Sequence, residues 1–213
     1  TKSLTCIQTD LFKPFADGFN TSNGGVRSPK RISTAAGLAA ISIQTSQNEM
    51  HGGQSIHAFD FEMAPYVKMS FDNYYKDSYK FFFCDELENV DVAVEEYEMK
   101  NIAEFDGLDR VKQHAINQTV KETRQAMEGL IHDLNIMNSR SGNQVPFSSI
   151  NFGTDISPEG RCVIKAFLEA VDNGVGNENK TAIFPISIFK VKAGINRNSE
   201  DKNYDLFKFE QNF

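Results

Sequence analysis

Three cysteines carry the most reactive side chains in this sequence. They are Cys6, Cys84 and Cys162, and they lie far apart. A thiol can serve as a nucleophile, a redox group or a metal ligand, but a structural zinc site needs closely spaced cysteine or histidine pairs. The sequence contains no Cys-x-x-Cys pair and no His-x-x-x-His pair. The spacing therefore disfavours both a zinc site and a disulfide framework, and a lone cysteine is more often a buried, inert thiol.

Residues 151–158 could bind an anion. An apolar run ends at Phe152, Gly153 permits a turn, and Ser157-Pro158 is typical of a helix N-terminus. Free backbone N–H groups at such a terminus attract phosphate. Every strand–helix–strand unit has a turn of this kind, however, and the segment contains no named phosphate-loop pattern. A purely structural turn is therefore the alternative.

A second polar candidate is His51-Gly52-Gly53-Gln54. Two successive glycines let a backbone approach a ligand closely, and they also end helices. The residue types alone leave both interpretations open.

The elements that must position these residues predict an α/β fold. We expect strands over residues 4–8, 145–152 and 181–189, and helices over residues 30–47, 60–81, 108–137 and 157–173. Ser28-Pro29 suggests an N-cap and first helical position for the first of these helices. The last two strands flank a helix, so they should pair in parallel, with Pro185 marking a strand end or a bulge.

Three stretches differ in the surfaces that they should present. The helix over 30–47 has a face of small residues, which allows a neighbour to pack closely. The first half of the helix over 108–137 is polar and should face solvent or a partner chain. Residues 85–106 are acidic and should form a solvated helix or loop, with an interaction patch as the alternative.

Composition narrows the possible functions. The net charge is −7 and the pI is about 5.2, which argues against a non-specific nucleic-acid binder. No apolar run of 18 residues occurs, so we expect no transmembrane helix and no membrane partner. Sparse cysteines favour the reducing cytoplasm. The sequence begins without Met or a signal-peptide layout, and we expect it to be cut from a longer protein.

Several strings together resemble the anaerobic (class III) ribonucleoside-triphosphate reductases, which are glycyl-radical enzymes. The strings occur in the family's order over nearly the whole chain: SLTCIQ (3–8), GFNT (18–21), QTSQNEMHGGQSI (44–56), AFDFEMAP (58–65), SRSGNQVPFSSINFGTD (139–155), KTAIFPI (180–186) and NYDLF (203–207). The resemblance implies that residues 1–213 are part of the family's ten-stranded α/β barrel. The ATP-binding module, finger-loop cysteine, zinc site and radical glycine expected of the family are not in this sequence.

The resemblance also implies a reaction. A glycyl radical supplied by a C-terminal region outside this sequence generates a thiyl, which removes the 3′ hydrogen of a ribonucleoside triphosphate, and the 2′ hydroxyl leaves as water. Formate is the expected reductant. Cys6 matches a second cysteine near the sugar, although Ile7 stands where some members have another cysteine. The substrate-binding candidates are Ser148, Ser149, Asn151, Gly153, His51 and Gln54.

Further expectations concern regulation and partners. The resemblance implies a homodimer built on the polar half of the 108–137 helix and the small-faced 30–47 helix, with a deoxynucleotide or ATP effector at their junction. Arg27, Lys30 and Gln44 are the effector candidates. A radical S-adenosylmethionine enzyme would install the glycyl radical. A segment of such a reductase is one hypothesis, and a catalytically incomplete fragment that binds nucleotide or dimerises is the other.

Overall fold

The computed structural model describes residues 6–21, 24–50, 52–138, 142, 144–176, 178 and 180–211. The described strands are β1 (Ile7–Thr9), β2 (Phe19–Thr21), β3 (Gly24–Val26), β4 (Gln54–Ile56), β5 (Ser148–Phe152) and β6 (Ile186–Phe189). The described α-helices are α1 (Phe12–Asp17), α2 (Ile32–Glu49), α3 (Phe59–Phe83), α4 (Gly107–Ile136), α5 (Pro158–Asn173) and α6 (Tyr204–Glu210).

A four-stranded parallel sheet organises the molecule. Its strand order is β1-β4-β5-β6, and β5, α5 and β6 form the predicted parallel β–α–β unit. Strands β2 and β3 form a separate antiparallel hairpin, in a segment for which the sequence predicted no strand. The α/β class is confirmed. The sheet formed by the described strands is open, so closure into a ten-stranded barrel stays a prediction.

The strands are shorter than the sequence predicted, and β4 was missed. β5 begins at Ser148 and β6 begins at Ile186, directly after Pro185. A proline cannot donate a ladder hydrogen bond, which agrees with the predicted strand end. β4 has three residues and lies between glycines and a helix, so its sequence carries too few alternating positions to be recognised.

The helices cover one face of the sheet. Helix α4 packs against α2, α3 and α5, while α2 contacts β4 and α3 contacts β5. Side chains from both layers are fully buried between them, including Ile43, Met63, Leu130, Phe167, Ile56, Ile150 and Phe152. Burial of this apolar surface is the main force that fixes the sheet against the helices.

Helix α2 begins later than predicted. It starts at Ile32, with Arg31 rather than Ser28 at the N-cap position. The Ile32 N–H donates to Ser70 Oγ of α3 at 3.0 Å, so a distant hydroxyl satisfies this helix end. The small-residue face of α2 is buried inside the chain, where Ala35 and Ala39 have no exposed surface.

The polar half of α4 binds a segment of its own chain. Gln113 Nε2 donates to the Glu98 carbonyl at 2.8 Å, and Asn117 exchanges hydrogen bonds with the backbone of Lys100 at 2.7 and 3.1 Å. This corrects the expectation that the whole polar half faces solvent or a partner. The acidic side chains of residues 85–106 are exposed, as the solvated interpretation predicted, and the segment is irregular apart from a 3-10 turn at Ile102–Glu104.

Candidate functional site

The second face of the sheet forms the candidate site, and we call it the open face. Side chains alternate along each strand, and the register places Gln8, Ser55 and Ser149 side by side on adjacent strands. Asn151 lies on the same face, two residues beyond Ser149. Its Nδ2 donates to Ser55 Oγ and to the Ile56 carbonyl, both at 3.0 Å.

These four side chains, Gln8, Ser55, Ser149 and Asn151, form what we call the polar row. The described helices pack on the opposite face, and on β6 Ile186 and Ile188 are 58% and 41% exposed. Hydroxyl and amide groups on an otherwise apolar, uncovered sheet face can hydrogen-bond the hydroxyls and base of a bound ligand.

Cys6 lies at the beginning of this face. It is exposed and directly precedes β1, and the alternation of an extended chain assigns it to the side of Gln8. The other two thiols differ from it. Cys84 is exposed at the left-handed C-cap of α3, with a φ of 55°, and Cys162 is buried in α5. Burial raises the pKa of Cys162 to about 12, which makes it an inert packing residue, as the sequence predicted.

The predicted substrate residues are divided between the two faces of the sheet. Ser149 and Asn151 lie on the open face. Ser148 and Gln54 point to the helix face, where they are 2% and 1% exposed and lie opposite each other in the register. The Gln54 amide and the Ser148 hydroxyl have no hydrogen-bond partner among the described residues. His51 lies outside the described residues.

The 151–158 turn is not free to bind a phosphate. The N–H groups of Gly153, Thr154 and Asp155 all donate to Asp60 Oδ2, at 2.9, 2.8 and 2.9 Å. The Ser157 and Gly160 N–H groups bond to Asp155 Oδ1 and Ser157 Oγ. A carboxylate of the chain therefore occupies the N–H groups that the anion-site prediction assigned to a phosphate, and the substrate role of Gly153 stays a prediction.

The three effector candidates are far apart. Arg27 and Lys30 are exposed before the start of α2, whereas Gln44 lies in its second half and donates to the Asp133 carbonyl at 3.5 Å. From Ile32, the first residue of α2, to Gln44 the helix rises by roughly 18 Å, at 1.5 Å per residue. They do not form one cluster.

A groove of about 470 Å³ runs between α2 and α4. Gly37 and Gly129 lie at its surface, and a Cβ atom at either position would meet no other atom within 4 Å. Gln118, Lys121 and Gln125 line it from the polar half of α4. Gln44 lies near one end through its contact with Asp133, which also lines the groove.

Two buried acidic residues at the start of α3 were missed. Asp60 is 1% and Glu62 is 2% exposed. Glu62 Oε1 accepts from the Leu11 N–H at 3.2 Å and lies 3.6 Å from His57 Nδ1. Burial raises the pKa of Glu62 to about 7, against the hydrogen bond and His57, which lower it. Acidic residues in the first turn of a helix are common, because they interact favourably with the helix dipole. The sequence therefore gave no sign that Asp60 and Glu62 are buried.

Three of the strings that carried the family resemblance meet at the carboxyl end of β5. Asp60 comes from residues 58–65, the turn from residues 139–155, and Asn203 from residues 203–207. Asn203 Nδ2 donates to the Asp155 carbonyl at 2.8 Å. Ligands of open parallel sheets bind beyond the carboxyl ends of the strands, so this junction borders the candidate site.

The described residues contain no cluster of three or more His, Cys, Asp or Glu side chains that could hold a metal ion. Among the helices of the described ranges, none is both long and apolar enough to cross a bilayer.

Comparison with known proteins identifies related chains. A family model described as "Anaerobic ribonucleoside-triphosphate reductase" matches residues 1–211. Proteins of this name from Escherichia coli (strain K12) and Haemophilus influenzae are 29% and 27% identical over 203 residues, which cover 95% of this chain and 25% of each relative. The protein of this name from Enterobacteria phage T4 is 26% identical over 94% of this chain and 29% of its own length. The chain thus spans about a quarter of the length of the curated relatives that it matches.

Proposed function

Because this chain belongs to the anaerobic ribonucleoside-triphosphate reductase family, we propose that it is a segment of such a reductase and forms part of the site that converts ribonucleoside triphosphates to 2′-deoxyribonucleoside triphosphates for DNA synthesis. The observation that carries the proposal is the open face, where an exposed Cys6 precedes β1 and the polar row spans β1, β4 and β5. The glycyl radical and its activating enzyme belong to the proposal but lie outside these residues.

Each group of this site has a distinct role in the proposal. The Cys6 thiol donates its hydrogen atom to the sugar radical that remains after water leaves, and formate, the expected reductant, returns a hydrogen atom to the resulting Cys6 thiyl. A serine hydroxyl cannot do this, because its O–H bond is too strong. Asn151 and Ser149 bind the ribose hydroxyls, because an amide and a hydroxyl can both donate and accept hydrogen bonds. The Asn151 amide is held by Ser55 Oγ and the Ile56 carbonyl, so it is oriented before substrate arrives. Formate as the reductant stays a prediction.

The first test is substitution of Cys6 in the complete reductase. Cys6→Ser should retain ribonucleotide binding and abolish deoxynucleotide formation, measured as product per enzyme under anaerobic conditions. Cys84→Ser is the matched control, since Cys84 is also exposed but lies at the far end of α3. Near-normal turnover by Cys6→Ser would overturn the proposal.

The same assignment can be checked on this chain alone. A ribonucleoside triphosphate bound at the open face should slow alkylation of Cys6 and leave alkylation of Cys84 unchanged. Equal rates for both thiols at saturating nucleotide would place the substrate elsewhere.

A second role, association with another copy of the chain, is favoured by the groove between α2 and α4. Glycines at the surface of a groove let a partner helix approach closely. In this alternative the segment holds the dimer and an effector nucleotide without itself taking part in the chemistry. Lys121 and Gln118 are the side chains of α4 that would face the partner.

A further inference from the structure

Asp60 binds the backbone between β5 and α5 in the way that a bound anion would. Three consecutive N–H groups, of residues 153–155, converge on its Oδ2 at 2.8–2.9 Å. Successive N–H groups that converge in this way form an anion-binding concavity. Here the anion is a side chain 93 to 95 residues away in the sequence, and it is almost fully buried.

The carbonyl groups of the same turn are also held by buried side chains. The Gly153 carbonyl accepts from Asn196 Nδ2 at 2.8 Å and from Asn203 Nδ2 at 3.3 Å, and neither asparagine has exposed surface. The 153–155 turn is therefore fixed from two sides by polar groups of distant segments. A buried polar network is costly when it is only partly satisfied. Loss of one member of this network should therefore destabilise the groups that hydrogen-bond to the same turn.

The turn after β5 is closely packed by its neighbours. A Cβ atom on Gly153 would lie 3.1 Å from the Phe189 ring and 3.2 Å from the Lys190 carbonyl, and the φ of Gly153 is +112°. A Cβ atom on Gly160 would lie 2.2 Å from the Asp155 carboxylate. A side chain at either position would therefore have to displace neighbouring groups, so the backbone of the turn has little room to shift.

We infer that Asp60 is a positioning residue, a built-in anion that fixes the 153–155 turn and thereby orients Asn151 on the open face. Asn151 lies on β5, two residues before Gly153 and the turn, and its amide already bridges to β4. A shift of the turn would move the end of β5 and disturb the polar row. The link to catalysis rests on the proposed function, whereas the occupation of the N–H groups can be tested on this chain alone.

Chemical rescue tests the occupation directly. Asp60→Ala removes the carboxylate, leaves the three N–H groups without an acceptor, and opens a space that formate fits. The variant should unfold at a midpoint lower by at least about 5 °C, and formate should restore at least half of that loss relative to chloride at equal ionic strength. Acetate, which is larger by a methyl group, should restore less.

Asp72→Ala is the matched control. Asp72 is a half-exposed carboxylate on the same helix, paired with Lys68, and formate should not raise its midpoint beyond the effect on the parent chain. A folded Asp60→Ala variant that formate does not stabilise would overturn the inference.

A second variant decides the matter if Asp60→Ala does not fold. Asp60→Asn keeps the shape and one carbonyl oxygen but loses the negative charge. The amides of residues 153–155 should then exchange with solvent at least about tenfold faster than in the parent, at a temperature where both are folded. Unchanged exchange would show that the charge does not hold the turn.

Activity separates this inference from the proposed function. In the complete reductase, well below the unfolding midpoint, Asp60→Asn should lower kcat/KM at least about tenfold, while Asp72→Asn should leave it unchanged. Formate rescue together with unchanged kcat/KM would restrict Asp60 to a structural role. If Cys6→Ser kept its turnover, the proposed function would fail while the rescue result still stood.

Discussion

At the scale of single residues, the two buried carboxyl groups at the start of α3 lie in different environments. Asp60 receives three N–H donors, so its charge is compensated by the backbone. Glu62 receives one N–H donor, and its Oε2 has no partner among the described residues. Burial disfavours the charged form of a carboxyl group, and one hydrogen bond offsets only part of this effect. The pKa of Glu62 is therefore raised to about 7.

Glu62 should therefore make stability depend on pH. Because its pKa is raised on folding from 4.5 to about 7, the native state keeps a proton that the unfolded state has lost across this interval. The contribution of Glu62 to the free energy of unfolding is fully present below pH 4.5. As the pH rises from 4.5 to about 7, the free energy of unfolding falls by about 3 kcal/mol. His57, Asp10 and Asp60 are the ionisable groups that act on it.

Glu62→Gln should remove this slope, because glutamine keeps the oxygen that accepts from Leu11 and cannot ionise. Urea unfolding at pH 4 and pH 8 would measure it, and the variant should exceed the parent in stability at pH 8 while matching it at pH 4. Glu128→Gln, on the exposed side of α4, is the control. Parallel pH profiles for Glu62→Gln and the parent would contradict the prediction.

At the scale of elements, α5 is the helix that its own sequence specifies most completely. Ser157 Oγ accepts from the Gly160 N–H at 3.0 Å, Pro158 occupies the first turn, and the helix ends at Asn173 before Gly174 with φ 69°. All these features were predicted. The core-facing side chains of α5 pack beneath the turn, where the Phe167 ring lies 4.9 Å from that of Phe152.

Removal of the N-cap should weaken this element. Ser157→Ala deletes the acceptor of the Gly160 N–H and should lower the free energy of unfolding by about 1 kcal/mol. Urea unfolding would measure the change, with Ser199→Ala, at an exposed position outside any helix, as the control. Equal stability of the two variants would mean that another acceptor caps α5.

At the scale of the whole molecule, two surfaces of the described residues lack a covering layer: the open face of the sheet and the groove between α2 and α4. The first belongs to the proposed substrate site. The second contains Gly37 and Gly129, whose missing side chains leave room for another helix. Arg124 of α4 pairs with Glu169 of α5 at 2.7 Å, whereas Lys121 lines the groove, so Lys121 is the better probe of an interface there.

The groove should mediate self-association. Gly37→Leu should keep or raise the stability of the monomer, because leucine favours helix over glycine by roughly 0.5–1 kcal/mol and its Cβ atom would meet no neighbouring side chain within 4 Å. The same side chain should block a partner helix and weaken the dimer at least about tenfold in sedimentation equilibrium, and Lys121→Glu should weaken it further. Thr34→Leu, exposed on α2 outside the groove, is the control. A wild-type chain that sediments as a strict monomer at tens of micromolar would contradict the prediction.

The sequence by itself determined the elements whose signals are local. The caps of α5 were predicted because they depend on residues within one or two turns of each other. The parallel β5–α5–β6 unit and the inert Cys162 were also predicted, from the order of the elements and from the absence of a nearby partner for the thiol. Family resemblance added Cys6, Ser149 and Asn151, which lie on one side of the sheet. The same reasoning could not separate Ser149 from Ser148, since adjacent strand residues point to opposite faces and only the packing of the helices decides which face is buried.

Tertiary structure alone decided how the polar groups of distant segments satisfy one another. Ser70 rather than Ser28 accepts a hydrogen bond from the first N–H group of α2. Asp60 rather than a phosphate accepts from the N–H groups after β5. A buried donor must find an acceptor wherever the fold brings one, and the choice depends on contacts across tens of residues. For this reason the sequence indicated only that the turn after β5 could bind an anion, and the folded chain showed that the Asp60 carboxylate accepts from its N–H groups.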